Sequence, residues 1–162
     1  MAARVMYLIK WAERGLRARL DAALHEHEVS TAEYATLSAL QSKKGLSSAE
    51  LARRAFVSAQ AMNQIVVALE RRGWVERTPD PENGRVLRTH LTPEGRRVVL
   101  TCDRATAHVE RTLLAELSPA EILDLRDKLQ RCIGSLASDA PAEEQPPSEV
   151  HALAPRRKAT DG

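Results

Sequence analysis

Between Ser47 and Thr92, the spacing of apolar residues changes from a helical period to the alternation of a β-strand. This change restricts the possible folds of the chain more than any other feature of the sequence. In the first half of this stretch, apolar side chains recur at helical spacing in two segments separated by a short break. Residues 74–78 then alternate between apolar and polar side chains, as in a half-buried strand. The turn-forming residues 79–84 contain Asn-Gly, a hairpin signal, and residues 85–91 supply a return strand. The pattern predicts a helix, a tight turn, a second helix and a β-hairpin, which is the plan of a winged helix-turn-helix.

Helix start signals place the other helices. The pattern Ser-x-x-Glu, in which serine and glutamate cap each other's backbone groups, begins at Ser30, Ser47 and Ser118. Thr92 followed by Pro93 is a further helix start, because proline is favoured at the first helical position. Together with the apolar spacing, these signals predict six helices, at about 5–27, 31–42, 47–55, 59–72, 93–117 and 119–136. The chain is therefore expected to be mainly α-helical with one small hairpin.

The composition agrees with helix-on-helix packing. Of the 162 residues, 43% are hydrophobic but only 3% are aromatic, so the core must consist of Leu, Val, Ile and Ala. The formal net charge is +2 and the pI is about 8.7. This balance is too mildly basic to indicate a nucleic-acid partner by itself, so the placement of the charges matters more.

The helices outside the hairpin region predict a dimer. Residues 1–30 and 93–136 form long amphipathic helices, and a single thin chain would struggle to bury all three apolar faces. A helical core shared by a homodimer solves this, with residues 31–92 forming a separate winged helix-turn-helix lobe, and two such copies related by a two-fold axis would suit a pseudo-palindromic DNA site. Residues 137–162 are rich in Pro, Ala, Glu and Ser and are expected to be a disordered tail. Its basic end, 156–158, is either simply solvated or adds weak phosphate contacts.

The helix at 59–72 has two chemically different faces. Its apolar stripe consists of Met62, Ile65, Val66 and Leu69. The residues off this stripe share an ability to contact bases, and they are Ser58, Gln60, Asn63, Gln64 and Val67. Asn and Gln bond bidentately to adenine, Ser suits either base type, and an apolar side chain meets a thymine methyl. An ordinary polar helix face would look the same, and the hairpin that follows decides between the two interpretations.

The hairpin carries arginines where a DNA-binding wing would need them. Arg85 sits beside the Asn83-Gly84 tip, and Arg88 follows three residues later. Because the hairpin directly follows a candidate recognition helix, Arg85 could reach a minor groove or a backbone phosphate. We therefore interpret both arginines as candidate DNA contacts.

The run from Leu46 to Thr92 resembles the MarR family of bacterial transcription regulators. The resemblance is carried by Leu51-Ala52, Val57-Ser58, the run from Leu69 to Arg77, the run from Pro79 to Arg85, and the run from Leu91 to Gly95. The outer helices match by pattern alone. The resemblance implies a homodimer whose first and last two helices intertwine, and a fourth helix that enters the major groove of double-stranded DNA.

Residue by residue, the resemblance implies a set of DNA contacts. It places Gln60, Asn63 and Gln64 at bases, Ser58 at a base or phosphate, and Arg85 in the minor groove. The helix start at Ser47 and Ser48 would face a phosphate, since helix N-termini attract anions. One departure stands out, because the family usually carries Asp two residues before the wing arginine and this chain has Asn83 there.

The resemblance also implies an effector, because members of the family often release DNA when a small anionic or aromatic compound binds. The candidate lining residues are Trp11, Tyr34, His25 and His108, each of which could equally be an ordinary core or surface residue. The sequence names no particular ligand.

Other functional classes fit the sequence less well. The five histidines are scattered, and neither a Gly-rich loop nor a Cys-x-x-Cys is present, so we expect no enzyme, cofactor or metal. Cys102 and Cys132 are interpreted as ordinary helix thiols rather than redox sensors. The start lacks a signal-peptide pattern and no long apolar run exists, which favours a cytoplasmic protein without membrane contact. The remaining alternative is a winged-helix protein-interaction module without specific DNA binding.

Overall fold

A computed structural model describes residues 4–139, with side chains described up to residue 136. It contains six helices and one antiparallel hairpin, as the sequence predicts. The elements are α1 (Val5–His25), α2 (Thr31–Ser42), α3 (Ser48–Ala55), α4 (Ala59–Arg71), β1 (Val75–Pro79), β2 (Leu87–Leu91), α5 (Pro93–Leu113) and α6 (Pro119–Asp139).

The predicted caps form and fix where the helices begin. The Ser30 and Ser47 hydroxyls accept hydrogen bonds from the backbone N–H groups of the glutamates three residues on, and each glutamate closes the box. Thr92 caps α5 by accepting from the Gly95 N–H at 3.1 Å. The helix ends differ from expectation by a few residues, since α1 ends at His25 rather than 27 and α5 ends at Leu113 rather than 117.

The core lies in the lobe formed by α2, α3, α4 and the hairpin, and α5 covers it. The fully buried side chains include Leu24, Leu37, Leu40, Leu46, Leu51, Met62, Val66, Leu69 and Val99. The predicted stripe of α4 supplies three of them, while Ile65 is half-buried. This packing fixes which face of α4 can point outward, because the stripe occupies the opposite side.

The predicted hairpin forms, and its strands are joined by a seven-residue loop. The strands pair in antiparallel register from Val75 opposite Leu91 to Pro79 opposite Leu87, which leaves residues 80–86 as the loop. Neither Asn83 nor Gly84 has the positive φ that a type I′ turn requires. The Asn-Gly pair predicted the hairpin correctly, and Asp80 organises the loop that connects its strands.

The outer helices, α1 and α6, leave many of their apolar side chains exposed. On α1, only Leu24 is fully buried, and Val5 and Ile9 are 69% and 46% exposed. On α6, Leu125 and Leu129 are 37% and 41% exposed, and α6 makes no extensive contact with another helix or strand between residues 4 and 139.

The boundary predicted for the tail is corrected by α6. Residues 137–139 belong to the helix, whereas the tail was expected from 137 onward. The remainder of that prediction, including the basic end at 156–158, lies outside the described residues. Between residues 4 and 139, no helix is long and apolar enough to cross a membrane.

Candidate DNA-binding surface

The first turns of α4 form an exposed polar face anchored from below. Ser58 begins the helix, and its hydroxyl accepts a hydrogen bond from the Ala61 N–H at 3.1 Å. Gln60, Asn63 and Gln64 are all exposed, whereas Val67 is half-buried. The three amide side chains therefore share one outward face, and the buried stripe on the other side holds that face rigid.

The start of α3 is less open than the sequence suggested. The Ser47 hydroxyl accepts from the Glu50 N–H at 3.3 Å and donates to the Glu50 carboxylate at 2.9 Å, and Ser48 is half-buried. Partial burial would raise the pKa of Glu50, but hydrogen bonds from Ser47 and the charge of Arg88 outweigh it and lower that pKa. The Glu50 carboxylate therefore lies at the start of α3, where the sequence analysis expected a DNA phosphate.

The two wing arginines have different surroundings. Arg85 is exposed, and its side chain makes no hydrogen bond or ion pair with any other described residue. Its backbone N–H donates to the Asn83 side-chain oxygen at 3.3 Å, so Asn83 shapes the loop backbone rather than orienting the guanidinium. Arg85 is therefore free to reach a partner outside the chain.

Arg88 is occupied inside the protein. Its guanidinium donates to the Asp80 carboxylate, to Glu50 at 2.9 Å and to the Gly45 carbonyl oxygen at 3.3 Å. These bonds join the base of the wing to the start of α3. Arg88, which the sequence analysis interpreted as a candidate DNA contact, is thus bonded to three groups of the chain itself.

Asp80 is the residue that the sequence analysis missed. Its carboxylate accepts from Arg88 and from the backbone N–H groups of Glu82 and Asn83, the last two at 2.8 and 2.9 Å. The bond from Arg88, then those from Asn83 and Glu82, lower the pKa of Asp80. An aspartate between two prolines in a predicted loop was the available signal, because Asp commonly bonds backbone N–H groups a few residues ahead.

The four predicted effector residues do not share one cavity. Trp11 is 70% exposed and lines a groove of about 300 Å³ between α1 and α5, together with Ala12, Gly15, Leu16, Arg19, Val109, Thr112 and Leu113. Tyr34, His25 and His108 are not part of its lining, and both histidines are exposed.

Tyr34 instead connects α2 to α5. It is buried, and its hydroxyl bonds Asp103 at 2.8 Å and Thr106 at 3.0 Å. Burial is the main cause that raises the pKa of Tyr34 to about 12. It is therefore a structural hydroxyl in this conformation, which agrees with the core interpretation left open by the sequence.

The cysteines lie in different environments. Cys102 is fully buried, and burial followed by the charge of Asp103 raises its pKa to about 11, which suppresses the reactive thiolate. Cys132 is exposed on α6, and the two thiols are unbonded.

The fold and this surface define a winged helix-turn-helix protein of the DNA-binding class. The sequence pattern of the MarR family matches residues 27–86. The HTH-type transcriptional repressor Rv2887 of Mycobacterium tuberculosis (strain ATCC 25618 / H37Rv) is 33% identical over 125 residues, which are 77% of this chain and 90% of that protein. The repressor Mb2911 of Mycobacterium bovis gives the same values. The chain therefore belongs to the MarR family and is a DNA-binding transcription regulator.

Solved structures support the same family. The M. tuberculosis MarR family protein Rv2887 in complex with salicylic acid aligns with a TM-score of 0.67 and 32% identity, covering 81% of this chain and 97% of that one. Apo MarR from E. coli aligns with a TM-score of 0.71 and 21% identity, covering 82% and 98% of the two chains. The second likeness concerns the fold alone.

Proposed function

We propose that two copies of this chain form a homodimer that represses transcription by occupying a pseudo-palindromic site in a promoter. The observation that carries the proposal is the exposed face of Gln60, Asn63 and Gln64 on a helix anchored by a fully buried stripe. An α-helix fits the major groove, and side-chain amides there can bond base edges bidentately. Repression then follows from simple occlusion of the promoter.

The wing completes the contact with each half-site. Arg85 is the free cation of the loop, and in our proposal it enters the minor groove next to the site of α4. Arg88 and Asp80 hold the wing at a fixed distance from α3, which gives Arg85 and α4 a common register on the duplex. Ser58 and the start of α3 at Ser47 and Ser48 are proposed to lie against the DNA backbone.

The dimer is supported by the uncovered faces of α1 and α6. Side chains such as Val5, Ile9, Leu125 and Leu129 would remain in water in a monomer, and a second copy can bury them against the same helices. In this arrangement, residues 1–30 and 93–136 form the dimerisation region, and residues 31–92 form the two DNA-binding lobes. Such a regulator would act in the cytoplasm, where the chromosome lies, and its function requires no catalysis.

A small aromatic acid is the proposed effector. Rv2887 has been crystallised with salicylic acid and with p-aminosalicylic acid. In this chain, the groove beside Trp11 combines an aromatic ring with the guanidinium of Arg19, which suits a ring that carries a carboxylate. The groove lies between α1 and α5, so an occupant can change the spacing of the two DNA-binding lobes.

Titration of a labelled duplex from the upstream region of its own gene tests the proposal, with a scrambled duplex as the comparison. We expect tight binding of one dimer to the upstream duplex only. The variant Arg85→Ala should weaken binding and reduce the slope of log K against log salt by about one per wing if it contacts a phosphate. The variant Gln64→Ala should relax base preference, at a cost of roughly 1–3 kcal/mol.

A matched control is Lys128→Ala, which removes an exposed cation from α6. It should leave both the affinity and the salt slope unchanged. If the parent protein binds both duplexes weakly and equally, specific recognition of the upstream duplex is refuted, and two explanations are left: the operator lies elsewhere, or the lobe binds a partner protein instead of DNA. Addition of salicylate tests the effector separately, since it should release the duplex from the parent and release less from Arg19→Ala.

A further inference from the structure

Phe56, the residue between α3 and α4, has a backbone conformation that its side chain does not favour. It follows Ala55 as the C-terminal cap of α3 with φ 54° and ψ 42°, in the left-handed region. Glycine is the usual residue at this kind of helix end, because a Cβ is strained there. A bulky residue in this region therefore indicates a constraint beyond folding.

The side chain of Phe56 is not stabilised by burial in the core. It is 85% exposed, which is the highest value among the exposed large apolar side chains in the part of the chain that the structure describes. The next residue, Val57, packs against the core instead. The turn thus directs its only aromatic ring into solvent while keeping an unfavourable backbone.

The position of this ring relates it to the recognition helix. Phe56 lies two residues before Ser58, the first cap of α4, and two residues span at most about 7 Å. The exposed face with Gln60 begins directly beyond that cap. Phe56 lies in the turn between α3 and α4 and does not belong to α1 or α6, whose uncovered faces carry the proposed dimer.

We propose that Phe56 is a DNA-contacting residue that packs against apolar groups of the duplex at the edge of the site of α4. Two sources offer such groups, the thymine methyl in the major groove and the carbon atoms of the deoxyribose. This inference rests on the proposed function of α4, and it adds an apolar contact to a surface that otherwise recognises DNA through amides and cations. The strained turn presents the ring, and DNA binding buries it.

The test compares Phe56→Gly, Phe56→Asn and Phe56→Tyr with the parent. Gly and Asn both tolerate the left-handed backbone and lack the ring, while Tyr keeps the ring. The probe is the tightest duplex that the parent protein selects from a randomised pool, with Kd measured by fluorescence anisotropy. A second set of probes replaces each thymine in turn by deoxyuridine, which removes only the methyl group.

We expect Gly and Asn to raise Kd by roughly tenfold, the size of one lost base-level contact, while Tyr stays close to the parent. The Tm of the Gly and Asn variants should equal or exceed that of the parent, because the backbone strain is relieved. If one deoxyuridine probe weakens the parent but not Phe56→Gly, the partner is a thymine methyl. If no such probe does so, the partner is the deoxyribose.

Two results would overturn the inference. Phe56→Gly and Phe56→Asn could bind with the Kd of the parent, or they could lose Tm together with affinity, which would indicate a structural role. Failure of the proposed function gives a different result from failure of this inference, because the parent would then select no sequence from the pool. In that case the inference about Phe56 is overturned as well.

Discussion

The DNA-binding lobe and the outer helices differ in how completely one chain can bury its apolar side chains. In the lobe, Leu37, Leu51 and Leu69 are fully buried within a single chain. On the outer helices, side chains of the same type, such as Leu125 and Leu129, remain substantially exposed. The amino acids are alike, so the difference lies in whether the same chain supplies a partner surface.

This contrast separates two tasks. The lobe must present a rigid face to DNA, and a core closed within one chain holds α4 and the wing in place. In the proposed homodimer, the outer helices set the distance between two lobes, and that task needs surfaces left open for a second copy. Three sets of variants test this difference between the two regions, and their expected effects decrease in the order given.

Charge on the open face of α6 should have the largest effect. The double variant Leu125→Glu, Leu129→Glu places two carboxylates on the surface proposed to be shared, so the dimer should dissociate while the lobe stays folded. Because two linked half-site contacts become independent, DNA affinity should fall by about 100-fold or more. Sedimentation velocity and anisotropy measure the two changes.

The matched control adds charge at neighbouring positions of α6 that are already polar. The variant Arg126→Glu, Lys128→Glu should remain dimeric. If the leucine variant were still a dimer with the affinity of the parent, the open face of α6 would not be the dimer interface.

The junction between the lobe and α5 should show the next largest effect. A Cβ at the buried Gly95 would overlap the carbonyl oxygen of Trp74, which is backbone and cannot move cheaply. The variant Gly95→Ala should therefore lower the free energy of unfolding by about 1–3 kcal/mol, measured by urea denaturation. It should also shift α5 relative to the hairpin.

Gly134→Ala on α6 is the opposite case. Apart from the backbone of its own helix, no atom of residues 4–139 lies within 4 Å of the added Cβ, so the helical preference for alanine should raise stability by about 0.5–1 kcal/mol. Equal effects at Gly95 and Gly134 would argue against a tightly packed junction.

The anchor of the wing should show the smallest effect. Asp80→Asn removes the charge that holds Arg88, so the wing should become more mobile and Kd should rise several-fold without loss of the dimer. The pKa of Asp80 is lowered in the folded protein, so its contribution is present above the ordinary carboxyl pKa of about 4 and is lost as the pH falls through the lowered value. The difference between variant and parent should thus be the same at pH 6 and pH 8.

Asp124→Asn, which breaks an exposed ion pair with Lys128 on α6, is the control and should change nothing measurable. A Kd for Asp80→Asn equal to that of the parent would mean that the backbone of the loop positions Arg85 without help from the carboxylate.

Local signals in the sequence determined the elements of this protein. Capping patterns at Ser30 and Ser47, the start at Thr92-Pro93 and the change of hydrophobic period predicted six helices and a hairpin in the right order. These signals succeed because they depend on neighbours along the chain, such as a hydroxyl that reaches an N–H three residues ahead. The face of α4 was predictable for the same reason, since a buried stripe leaves its other side exposed.

The tertiary structure alone decided which polar groups are free. Arg85 and Arg88 look equivalent in sequence, yet Arg88 is held by Asp80, Glu50 and the Gly45 carbonyl, while Arg85 has no partner among the described residues. Likewise, Tyr34 bonds Asp103 from 69 positions away. Such assignments depend on which distant side chains packing brings within about 3 Å of each other, and no local pattern encodes that distance.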